Sequence, residues 1–213
     1  MKELNPIEKL DTLIQEAWEI FMAQFIGGRI HVATEAPFQH YLANVIKSLG
    51  DLYCFSRTET FLVDLETREE NIRGRKKYID ITFGFYDGAK VLARGAIELK
   101  FKRKDQGADD FARIDSYQDI ECLEVCLERD YDVAFFCMIS DNKIYANPSR
   151  QGTTGQIFSM RSEYQTPINT LITNPNCKGR QDITVLLKRE HTFKWEDHGK
   201  CISLCMPIHR SIR

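Results

Sequence analysis

No run in these 213 residues approaches the roughly 20 apolar residues that a membrane-spanning helix needs. The opening MKELNPIEKL lacks the basic-then-apolar pattern of a signal peptide, so a cytoplasmic chain with no membrane partner is expected. Charge of one sign is missing too: 29 Lys and Arg stand against 31 Asp and Glu, a net charge of −2 that does not advertise nucleic-acid binding. No internal repeat is present. The seven cysteines include no C-x2-C pair, the spacing usual in zinc and cluster sites, so buried free thiols are expected.

What is present suits a folded domain. Hydrophobic residues make up 43% and charged residues 28%, ordinary for one globular unit spanning residues 1–213. Asn5-Pro6-Ile7-Glu8 carries the signature of a helix start, and Ile7, Leu10, Ile14, Trp18, Phe21 and Phe25 follow at helical spacing until Gly27-Gly28. Thr34 is expected to cap a second helix, with Glu35 in its first turn and Gly50 at its end. Residues 52–65 have strand character, and 66–75 read as a charged loop. Asp109 or Asp110 should cap a helix striped by Ile114, Tyr117, Ile120, Leu123 and Leu127. Residues 131–139, YDVAFFCMI, read as a central strand covered on both faces. Residues 147–181 yield no confident element, and three antiparallel strands are expected at 183–187, 191–195 and 201–206.

The chain is organised around residues 76–104. Two β-patterned runs, 77–85 and 90–102, are broken by Tyr86-Asp87-Gly88 and read as an antiparallel hairpin. Side chains alternate along a strand, so Ile97, Leu99 and Phe101 share the core face while Glu98 and Lys100 share the other. Asp80 sits among apolar neighbours in the first run. Carboxylates in such a frame are costly to desolvate unless a partner or a cation relieves them. A two-residue turn at Asp87-Gly88 would put Asp80 and Glu98 on opposite faces. A three-residue loop, or a bulge at Gly84 or Gly95, would restore their parity. Charge is also segregated: residues 71–104 hold ten Lys and Arg against three acids, and residues 105–132 hold ten acids against two Arg.

Asp80 followed by Glu98-Leu99-Lys100 resembles the motif of the PD-(D/E)xK nuclease superfamily, although Ile79 stands where the motif's name has Pro. The resemblance covers about residues 34–145, with a specific part of three residues. It implies an α/β fold with a restriction-endonuclease-like core: a central mixed sheet flanked by helices, with a C-terminal extension at 146–213 adding antiparallel strands. It also implies a metal-dependent nuclease, expected to be a DNA endonuclease of a restriction, phage-defence or repair type. The other outcome is a silent member of the fold that only binds nucleic acid or protein. Asp80, Glu98, the Leu99 carbonyl and Glu35 would hold Mg²⁺ or Mn²⁺, since hard oxygen ligands suit those ions. Lys100 would orient or deprotonate the attacking water, its pKa lowered by the nearby cation. Lys76, Lys77, Lys102, Arg103 and Lys104 would contact phosphates. Gln118 or Tyr117, on the helix after the motif, could add a polar group. Dimers are frequent among enzymes that cut both strands, which makes a homodimer one expected state.

Overall fold

The computed structural model describes residues 5–72 and 74–208. The start read from the sequence forms as expected. Asn5 Oδ1 accepts from the N–H groups of Ile7 and Glu8 at 3.0 Å, and Glu8 Oε2 accepts from Asn5 N–H at 3.0 Å. This capping box opens α1 (Pro6–Ile26), and Gly27 closes it. The second helix, α2 (Glu35–Leu52), runs two residues past Gly50, so Gly50 is not its stop. The glycine is there for packing: a Cβ on it would lie 2.0 Å from Phe61 Cδ1. Gly50→Ala should therefore destabilise the fold by about 1–3 kcal/mol through overpacking, measured as a lowered melting temperature.

Three long strands follow: β1 (Glu59–Ile72), β2 (Arg75–Asp87) and β3 (Lys90–Lys102). The charged stretch 66–72, expected as a loop, continues β1 instead. An edge strand with solvent on one side can carry charge along its length. After β3, Ala108 in a left-handed conformation holds the N-cap position of α3 (Asp109–Leu127). Asp109 is thus inside the helix, where its Oδ1 accepts from Tyr145 Oη–H at 2.8 Å. The crossover leads to β4 (Val133–Ser140), buried at every position as its unbroken apolar run implies.

The remaining elements are short: α4 (Thr154–Ile157), β5 (Leu171–Thr173), β6 (Thr184–Leu186), β7 (Glu196–Asp197) and β8 (Ile202–Ile208). The segment 191–195 is not a strand; only an isolated bridge, Gln165 to Thr192, forms there. The six-stranded sheet has the order β1-β2-β3-β4-β8-β7, with β5 and β6 forming a separate pair. β3 and β4 run parallel, joined through α3, while the other pairings are antiparallel. The chain is therefore α/β with a mixed sheet flanked by helices.

One core lies between the sheet and α1 with α2, including Phe21, Phe38, Ile81, Ile97, Leu99 and Phe135. The other lies between the sheet and α3, including Ile79, Ala96, Ile120, Phe136 and Met138. Helix α3 is itself sandwiched, because residues 154–195 cover its outer side. That explains why three of its acids are not solvated: Asp119, Glu121 and Glu124 are all buried. All seven cysteines are free thiols. No helix among the described residues is long and apolar enough to cross a membrane.

Candidate active site at the open edge of the third strand

The hairpin sets its register in a way the turn residues do not reveal. The tip is a two-residue turn, Gly88-Ala89, between the paired residues Asp87 and Lys90. A bulge then places Tyr86 opposite Val91 but Phe85 opposite Ala93, leaving Leu92 as the surplus residue. Gly84 and Gly95, offered by the sequence as bulge sites, are paired regularly with Arg94 and Phe83. From Phe85 inward the register brings Ile81 opposite Ile97. Asp80 and Glu98 are the next step.

At that step the ladder stops. Ile79 packs in the α3-side core and Ile81 in the opposite one, so the alternation of β2 breaks between them, at Asp80. On β1, Glu66 takes a positive φ of 52° at the same level. Gln39 on α2 secures both irregularities, its Nε2 donating to Asp80 O at 2.6 Å and to Glu66 Oε1 at 2.9 Å. Beyond Ile97, carboxylates take the places that β2 carbonyls would fill. Leu99 N–H donates to Asp80 Oδ2 at 2.6 Å, and Phe101 N–H donates to Glu35 Oε1 at 3.3 Å. A strand residue's N–H and C=O point to the same side, so the Leu99 carbonyl faces this open edge as well. Three elements, α2, β2 and β3, thus deliver Glu35, Asp80 and the Leu99 backbone to one place.

Glu98 and Lys100 project toward α3, where the sequence reading misses their partner. Asp119 receives both amines: Lys100 Nζ is 2.7 Å from its Oδ2, and Lys77 Nζ bonds its Oδ1. Lys77 Nζ also lies 3.1 Å from Glu98 Oε1. That contact lacks hydrogen-bond geometry, and the buried Oε1 accepts no hydrogen bond among the described residues. Lys77, expected to meet phosphate, is instead drawn into the cluster. Lys76 stays exposed and lines a cleft of about 510 Å³ with Lys77, Lys100, Gln118, Asp119 and Thr184. Tyr117 is core, its hydroxyl donating to Ser159 O. Past β3, Lys102 is half-buried, Arg103 pairs with Asp105, and Lys104 is exposed.

The charges perturb one another. Burial pushes the Asp80 carboxyl up to about 6, opposed by the Leu99 N–H and Lys100 and reinforced by Asp119 and Glu35. Burial, then Asp119, hold Glu98 well above the carboxylate range despite Lys77. Asp119 is buried yet held below its usual value by Lys100 and Lys77. Burial would lower Lys100, but Asp119 and Glu35 outweigh it and hold the amine above its ordinary value. Without a cation beside it, Lys100 is therefore a firmly protonated ammonium, not the amine of lowered pKa that the motif implies.

Compared with known proteins, the chain matches no family model, no curated protein and no solved structure.

A divalent cation can be tested against the donors present. If all were ionised, Glu35, Asp80, Glu98 and Asp119 would outnumber Lys77 and Lys100 by two negative charges, and Glu98 Oε1 is buried with no hydrogen bond among the described residues. Among the described residues no three His, Cys, Asp or Glu side chains close on a single point. Mg²⁺ does not require that, since it is commonly held by one or two carboxylates and keeps several waters. Asp80, Glu98 and the Leu99 carbonyl are oxygen donors of the kind Mg²⁺ takes.

Proposed function

We propose that this chain is a metal-dependent nuclease of the PD-(D/E)xK kind, with a restriction-endonuclease-like core, hydrolysing phosphodiester bonds of nucleic acid, DNA first. The observation that carries the reading is the interrupted ladder at Asp80. A regular ribbon would satisfy Leu99 N–H with a carbonyl; here a carboxylate raised to about 6 does so, beside Glu35, Glu98 and Lys100. Irregular backbone and perturbed carboxyls cluster at functional sites. The element order helix, three-stranded meander, helix, strand supports the same family.

In this reading Asp80, Glu98 and the Leu99 carbonyl would hold Mg²⁺ or Mn²⁺, with Glu35 as a further acidic donor. A cation held there would supply activation of water at neutral pH and neutralisation of charge on the phosphate. Lys100, kept protonated by Asp119, places positive charge against the phosphate oxygens as negative charge builds there. Lys76, on the cleft, and Lys102 and Lys104, at and just past the end of β3, would supply backbone contacts. A second reading, a silent member that only binds nucleic acid or protein, is favoured by Lys77 standing against Glu98 and Lys100 against Asp119.

The test incubates supercoiled plasmid, single-stranded DNA and RNA with the protein and Mg²⁺ or Mn²⁺. Cleavage that falls about 10²-fold or more in Lys100→Ala is the expected result. Cleavage that persists in both Lys100→Ala and Asp80→Ala removes the assignment. Binding without cleavage under every condition selects the second reading.

A further inference from the structure

Lys77 stands against one of the two carboxylates assigned above to the cation. Its ammonium is 3.1 Å from Glu98 Oε1, the carboxylate oxygen with no hydrogen bond among the described residues. Glu98 is 2% exposed; burial disfavours its ionised form, and Lys77 favours that form through charge alone. The same ammonium has a second anchor, because it also bonds Asp119, which lies on α3 and holds Lys100 as well. Leaving Glu98 thus costs Lys77 one ion pair of two, and no new partner has to be found.

We propose that Lys77 is a resident counter-ion that competes with the divalent cation for Glu98 and withdraws onto Asp119 when the cation binds. The inference rests on reading Asp80 and Glu98 as cation ligands. An ammonium and a divalent ion cannot share one carboxylate oxygen without strong repulsion, even at the effective dielectric of a protein interior. The resting cluster is therefore held together without metal, and cation affinity is weaker than its carboxylates alone would give. Lys77 lines the cleft and keeps part of its side chain in solvent, so it has room to move.

Mn²⁺ binding to the full chain, measured at pH 8 by the electron paramagnetic resonance of free Mn²⁺, tests this without reference to cleavage. Lys77→Met should tighten the dissociation constant about tenfold, and added Mn²⁺ should raise its melting temperature more than that of the unmodified chain. Lys77→Gln, which keeps a polar head for Asp119, should shift the same way and covers the case where the methionine variant folds poorly. Suppose the unmodified chain binds Mn²⁺, Asp80→Ala abolishes that binding, and both Lys77 variants bind no tighter. Competition is then overturned while the nuclease site stands. A chain that binds no Mn²⁺ at all removes the site and this inference together.

Discussion

Asp80→Asn is expected to make the protein more stable at pH 8 and to lower its cleavage of DNA about 10²-fold or more. The two effects share one cause. The folded chain holds the Asp80 carboxyl near 6, chiefly by burial, whereas an unfolded chain has it at about 3.9. Between those values the folded form binds the extra proton, so stability falls as pH rises through the window and stays lowered above it. A shift of that size corresponds to about 2–3 kcal/mol. Asparagine keeps an oxygen for the Leu99 N–H but carries no charge, so it removes the penalty together with the cation ligand. Urea melts should show a gain of about 1–3 kcal/mol at pH 8 and little change at pH 4. A loss of stability at pH 8 would mean that Asp80 serves only as a strand cap.

Removing the Glu124 carboxylate should cost about 3–5 kcal/mol, the range for breaking a buried charged network. Glu124 is 1% exposed and accepts from Lys188 N–H at 2.8 Å, Arg189 N–H at 2.9 Å and His191 Nε2 at 2.8 Å. Neighbouring Glu121 accepts from Leu186 N–H at 2.7 Å. These carboxylates hold residues 186–191 against α3 in place of a continuous ladder. Glu124→Ala takes this acceptor from three donors, the buried His191 ring among them, and hydrogen exchange at Lys188 and Arg189 should accelerate sharply. Glu124→Gln keeps one acceptor and should lose about 1–3 kcal/mol. A loss below that for the alanine variant would mean the segment is held by its apolar contacts.

What could be read in advance follows a physical divide. Local patterns were legible: the Asn5 capping box, the apolar run of β4, and the alternation that puts Glu98 and Lys100 on one face. Asp119 was not, because its partners lie 42 and 19 residues earlier in the chain and α3 reads as a solvated acidic helix until something covers it. Lys77 looked like one more member of a basic stripe for the same reason. Gln39 gave no signal, since its role depends on two backbone irregularities that no residue type announces. Gly50 carried the usual mark of a helix end, and only the Phe61 ring explains it.

The surplus residue at Leu92 has a bearing on how this ribbon can vary. It gives the tip slack. One residue gained or lost between Asp87 and Ala93 can be absorbed within the last two pairs, by shedding or enlarging the bulge. Shortening or lengthening inside Ala93–Glu98 has no such buffer and rotates every later side chain to the opposite surface. The outer end of the hairpin is thus free to be resized, and the inner end is not.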